Sequence, residues 1–177
     1  MVNETYGLDR MIPATSFFSR IRRNHGLEHA TLHVLSQRYP KKNLAGHSDA
    51  RGFWIIGDVP IGDVYESVEQ AIARLRAGEE NLALHRNCGT NFVTAGVLTG
   101  LAAGLAMLGS GGRVRDKLER LPLAMLLATA ALILAQPLGF VLQQRVTTSG
   151  QPGSLRVVEI VATRRGRIKA FRITTRG

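Results

Sequence analysis

Residues 121–142, LPLAMLLATAALILAQPLGFVL, are 22 consecutive residues without a charge. As a helix this run is about 33 Å long, enough to cross a hydrocarbon layer of about 30 Å. Residues 92–108, FVTAGVLTGLAAGLAML, form a second uncharged run of 17, at the short end of the spanning range. The pair predicts a transmembrane helical hairpin over residues 92–142, and a wholly soluble protein is not expected. Gly96, Gly100 and Gly104 recur every four residues on one helix face, as do Ala131, Ala135 and Gly139 on the other. Small faces let helices approach closely in lipid, so these residues are expected either to pack the hairpin or to mediate a homodimer. Pro137 is expected to kink the second helix.

Charge is segregated around this hairpin. Residues 143–177 hold eight Lys/Arg against Glu159 alone, a net of +7. The connecting loop has Arg113, Arg115, Lys117 and Arg120 against Asp116 and Glu119, a smaller excess. Two spans put the flanking segments on one side, and the larger excess predicts the cytoplasmic side of a bacterial inner membrane. Residues 1–13 carry Glu4 and Asp9 and no apolar run of signal length, so no cleaved leader is expected. Cys88 is the single cysteine, which excludes a disulfide scaffold. The basic tail suits anionic lipid headgroups, and the scarcity of aromatics argues against nucleic-acid recognition.

The remaining segments read as an α+β unit. Residues 13–38 show helical periodicity in Phe17, Phe18, Ile21, Leu32 and Leu35, with Ser16 as a candidate cap, and Tyr39-Pro40 ends the helix. Residues 46–52 read as a glycine-bounded loop, residues 53–56 as a strand and residues 61–77 as a helix closed by Gly78. Residues 82–84 suggest a short strand. Residues 86–91, RNCGTN, read as a turn, with Gly89 at its tight point and Thr90 or Asn91 capping the first membrane helix. Residues 154–175 alternate apolar and polar on both sides of Arg165-Gly166, a β-hairpin signal. A lone hairpin is marginal, so it should lean on the N-terminal unit or the membrane. The expected organisation is residues 1–91 as a membrane-associated α+β domain, residues 92–142 as the hairpin and residues 143–177 as the basic tail.

Within the first helix, His25-x-x-Glu28-His29 is the H-x-x-E-H pattern of inverted zinc peptidases. At about 100° per residue, His25 and His29 lie about 40° apart on one face, with Glu28 beside them. Imidazoles at i and i+4 can converge on one Zn²⁺, and a neighbouring carboxylate can take a proton from a metal-bound water. A second cluster, His85-Arg-Asn-Cys88, places an imidazole and a thiol three residues apart just before the first uncharged run. Both are good zinc ligands, while Asn87, Thr90 and Asn91 could supply outer hydrogen bonds or an oxyanion donor. His33, a full turn further, and His47 and Asp58, in expected loops, are weaker candidates.

His25-Gly26-x-Glu28-His29 followed by His85-x-x-Cys88-Gly89-Thr90-x-Phe92 resembles the YqhQ-like family of bacterial membrane proteins, described as predicted metal-dependent enzymes, and a related bacterial family of unknown function. The resemblance implies a metal-dependent membrane enzyme whose site residues are His25, Glu28, His29, His85 and Cys88. The chain departs from those proteins in having one hairpin where they carry more spans. The resulting expectation is a membrane-anchored hydrolase of peptide or amide bonds dependent on zinc or another divalent metal. His25, His29, His85 and Cys88 would hold the metal, with Glu28 as general base. The alternative is a non-catalytic scaffold in which the same four ligands close a structural zinc site.

Overall fold

The computed structural model describes residues 17–177, apart from the side chain of Arg165. Ser16 and the start of the first expected helix lie outside the described residues. The chain divides into two compact units, one of residues up to His85 together with Gln144–Gly177, the other Arg86–Gln143.

The first unit is a mixed α+β layer. Helix α1 (Phe17–Arg38) is followed by strands β1 (Ala45–Asp49) and β2 (Gly52–Ile56) and by helix α2 (Ile61–Arg76). A 3₁₀ turn, Glu80–Ala83, leads to His85. After the second unit the chain returns through a π-helical turn, Gln143–Thr147, to strands β3 (Arg156–Arg165) and β4 (Ile168–Arg176). The four strands form one antiparallel sheet in the order β1-β2-β4-β3. The C-terminal hairpin therefore leans on the N-terminal strands, with Ile55 opposite Phe171 and Phe53 opposite Ile173.

Strand alternation explains the core. Phe53, Ile55, Ile160, Phe171 and Ile173 share a buried cluster with Leu27, Ala30, Val34 and Leu35 of α1 and Val64, Val68, Ile72 and Leu75 of α2. Each buried Val, Leu, Ile or Phe side chain among them contributes about 1.5–3 kcal/mol by leaving water. The intervening residues face the other way, where the Arg172 guanidinium stands 5.3 Å from the centre of the Trp54 ring. Arg172 also grips Asp49 with two bonds of 2.8 and 2.9 Å, tying β4 to β1 across β2. The hydrogen bonds from Arg172, with a further one from the Arg51 N–H, hold the Asp49 carboxyl below its ordinary range.

Several local expectations are corrected. Residues 46–52 are not a loop, because residues 45–49 pair with β2 despite a strand-poor sequence. Residues 82–84 are not a strand, because the chain there closes a 3₁₀ turn. Phe17 and Phe18 are exposed rather than buried, and the core face of α1 begins only at Leu27. The expected end of α2 is found: Ala77 caps it and Gly78 takes φ +95°, a conformation that favours glycine. The β-hairpin turn is likewise made by Gly166 at φ +62°.

The second unit is a helical hairpin of α3 (Gly89–Met107) and α4 (Val114–Leu142). Both helices are long and apolar enough to cross a membrane. Helix α4 runs on through Pro122 and Pro137. Gly89 is the first residue of α3, not the tight point of a turn, and the N-cap position belongs to Cys88, not to Thr90 or Asn91. Asn91 instead joins the two helices: its Oδ1 accepts from Gln143 Nε2 at 2.6 Å and its Nδ2 donates to the Arg86 carbonyl at 2.8 Å. Gly139 of α4 faces Asn91, where a Cβ would lie 3.2 Å from the Asn91 Cα. Gly96, Gly100 and Gly104 do not pack this hairpin, since a Cβ at each would meet nothing within 4 Å among the described residues.

Candidate metal centre

Helix α1 carries His25, His29 and His33 at intervals of four, so the three rings climb one face with about 40° of drift per step. The His25 and His29 ring centres stand 4.4 Å apart. His85, delivered by the 3₁₀ turn, adds a fourth ring 5.5 Å from His29 and 5.2 Å from His33. The first unit thus assembles a continuous row of imidazoles, His25–His29–His85–His33.

Backbone carbonyls orient the row. His25 Nδ1 lies 3.0 Å from the Thr147 carbonyl, His29 Nδ1 is 2.7 Å from that of Ala83, and His33 Nε2 is 2.8 Å from that of Leu84. A carbonyl only accepts, so a neutral ring in each pair donates from the named nitrogen and carries its lone pair on the other. His25 and His29 therefore present lone pairs at Nε2, and His33 at Nδ1. This is the tautomer control commonly found behind metal-ligating histidines. Burial, with His33 beside it, moves the His85 imidazole below its ordinary range and favours the neutral ring that a metal requires.

The segment carrying the Thr147 carbonyl is itself fixed by α1. Arg22 is buried and donates to the carbonyls of Arg145, at 3.1 Å, and Thr148, at 3.0 Å. The Ser149 N–H donates to the Arg22 carbonyl at 3.0 Å. Residues 145–149 so form a strap along α1 that brings Thr147 to His25. Gly26 makes the close passage possible: a Cβ there would collide with the Ser149 carbonyl, 2.9 Å from its carbon, and stand 3.2 Å from Ala83 Cβ. Gly150 permits a second close approach, against the backbone of Glu80. Arg23 and Asn24 complete the anchorage, Arg23 reaching the Pro152 carbonyl and Asn24 bonding both the Asp49 carbonyl and the Thr175 hydroxyl.

Glu28 is buried on the flank of α1 that meets β1, with its carboxylate against Gly46. A Cβ at position 46 would overlap the Glu28 side chain, so this glycine leaves room for the carboxylate. Cys88 belongs to the second unit, at the N-cap position of α3 and three residues beyond His85. His47 pairs opposite Trp54 on β1, and Asp58 forms ion pairs with Lys42 and Lys169. In the sequence His33 is a weaker candidate, Gly26 stands in the motif without an assigned role, and Arg22 and Thr147 give no signal. The i, i+4, i+8 spacing of His33 was legible, whereas contacts spanning more than 120 residues left no local signal.

A family model described as "Domain of unknown function (DUF6391)" matches residues 20–160. An uncharacterised protein of Picosynechococcus sp. is 40% identical over 139 residues, covering 73% of this chain and 66% of the relative. The match therefore spans just under two-thirds of that curated relative. No solved structure matches the chain.

Proposed function

We infer, for a chain that belongs to the DUF6391 family of domains of unknown function, that His25, His29 and His85 hold a zinc ion in a membrane-anchored protein. One observation carries this reading: His25 and His29 both turn Nδ1 to backbone carbonyls, so adjacent turns of α1 offer Nε2 lone pairs side by side. Two buried or half-buried imidazoles that each turn Nδ1 to a carbonyl, with His85 beside them, are a donor set suited to zinc. Cys88 is the candidate fourth ligand on its three-residue spacing from His85.

The chemistry we assign is hydrolysis of a peptide or amide bond, with Glu28 as base, on the strength of the H-x-x-E-H motif. The placement of the Glu28 carboxylate against Gly46 supports a second reading, a structural zinc that staples α1 to the segment carrying His85. Metal analysis of the detergent-purified chain tests the centre itself. About one zinc per chain is expected, lost in His29→Ala and reduced in Cys88→Ala; a metal-free wild type after reloading would overturn it. The absorption spectrum of the cobalt-substituted protein then separates the two readings. A coordination position open to water, with zinc kept but turnover abolished in Glu28→Gln, supports the hydrolase. Four protein ligands support the structural site.

Helices α3 and α4 are read as the membrane anchor, with the first unit on the cytoplasmic side of a bacterial inner membrane. The exposed basic residues Arg164, Arg167 and Lys169 near the β3–β4 turn suit anionic headgroups. Protease added to the cytoplasmic face of oriented vesicles should cut the tail, and cutting only from the opposite face would refute the orientation.

A further inference from the structure

The two places where the chain leaves and rejoins the first unit both lie along α1. His85, after which it leaves, stands 5.5 Å from His29. Arg145, on the returning segment, has its carbonyl held by Arg22 at 3.1 Å. At about 100° per residue, Arg22, His25 and His29 all lie within about 40° of Phe18 on the helix surface. The chain therefore leaves and rejoins on the face of α1 that carries Phe18.

Apolar surface is exposed at the start of that face. Phe17 and Phe18 meet edge to face, with ring centres 5.9 Å apart, and are 57% and 68% exposed. Val146, next to Arg145 in the chain, is 45% exposed. Arg145 is exposed and Arg20 partly so, and residues 17–27 and 143–149 contain no acid. Arg145 follows Leu142, the last residue of α4, by three residues of π-helical turn, a rise of about 5 Å. Phe18 lies one turn, about 6 Å, from Arg22 along α1.

We propose that Phe17, Phe18 and Val146 seat the first unit in the interfacial layer of the bilayer that α3 and α4 cross, with Arg20 and Arg145 among anionic headgroups. This rests on the reading of α3 and α4 as the membrane anchor. A lipid surface fits better than a partner protein, because the chain's own exit from α4 brings this patch to the bilayer boundary. The acid-free, arginine-bearing surface around it has the charge that anionic lipid attracts, and phenylalanine beside arginine is the composition of an interfacial helix. The first unit then lies against the membrane along the start of α1, instead of swinging freely from its two connections.

The test is tryptophan fluorescence of the full chain in vesicles of phosphatidylcholine and phosphatidylglycerol, with the emission of Trp54, the single native tryptophan, subtracted from the wild type. Phe18→Trp should lose about half of its added emission when the lipids are brominated high on the acyl chain, and little of it to aqueous iodide. Phe17→Trp, at a second exposed position, should respond alike. Ile133→Trp, in the middle of the uncharged run 121–142, should be quenched by bromine near the end of the acyl chain. Iodide quenching of Phe17→Trp and Phe18→Trp without bromine quenching, while Ile133→Trp responds to bromine, would overturn the patch alone. Shielding of both from iodide and bromine would place a second copy or another part of the chain over the patch, and would equally overturn it. An Ile133→Trp that bromine does not quench would refute the anchor reading beneath the proposal.

Discussion

Replacing Gly26 by alanine sets two effects of opposite sign against each other. In the interior of a helix the change should stabilise by about 1 kcal/mol, because alanine is the better helix former. In this chain the new methyl group meets the Ser149 carbonyl, and backbone cannot rotate aside as a side chain can. The strap must lift, with an overpacking cost of about 1–3 kcal/mol. Lifting also stretches three bonds of 3.0 Å, from Ser149 N–H to Arg22, from Arg22 to Thr148, and between His25 and Thr147. Each is worth about 0.5–1.5 kcal/mol. Taking about 2 kcal/mol for the clash and about 1 kcal/mol for partial loss of the bonds, less the helical gain, leaves a net destabilisation of about 2 kcal/mol. For a unit of this size that lowers the melting temperature by roughly 6–12 °C. Thermal unfolding followed by near-ultraviolet circular dichroism in detergent reads it directly. A neutral or raised melting temperature would refute the reasoning, because helix propensity would then outweigh the strap.

Other outcomes follow from separate parts of the molecule. Gly46→Ala should displace the Glu28 carboxylate and cost about 1–3 kcal/mol by overpacking, while zinc content stays at the wild-type level; coincident loss of zinc would place Glu28 among the ligands. Gln143→Leu removes the bond to Asn91 and should weaken the α3–α4 hairpin by about 1 kcal/mol, measured by unfolding in mixed micelles; a gain in stability would show that apolar packing outweighs this bond. Because the folded pKa of Asp49 is lowered, its grip on Arg172 stabilises at neutral pH and is lost as pH falls below the usual carboxylate range. Asp49→Asn should cost less than about 1 kcal/mol at pH 7, since the carboxylate is 44% exposed, and should flatten the acid limb of a stability–pH curve. An acid limb identical to wild type would remove Asp49 as its source.

What could be read from the sequence follows the range of the interactions. The uncharged runs and the alternation of the tail report local geometry, and both apolar helices and the β3–β4 hairpin are present. The histidine face of α1 was equally legible, being a matter of helical period. Strand β1 was not, because Ala45-Gly46-His47-Ser48-Asp49 has little β propensity and owes its conformation to its partner β2. The glycine face of α3 left two outcomes open for a related reason: spacing gives the face a residue lies on and not which neighbour that face meets, and that neighbour is not α4. Likewise the role of Gly26 depends on residue 149, and nothing within the H-x-x-E-H motif announces that contact.

The sheet order has a consequence for how the protein is made. Strand β2 is flanked by β1, its immediate neighbour in the chain, and by β4, which is translated more than a hundred residues later. Both long apolar helices leave the ribosome between those two events, and so does the strap that sets His25. During synthesis the N-terminal half must therefore wait with one edge of β2 uncovered and His25 without its Thr147 carbonyl. Only when the final strand arrives can the early half close, so completion of the hairpin and completion of the histidine row belong to one ordered assembly step.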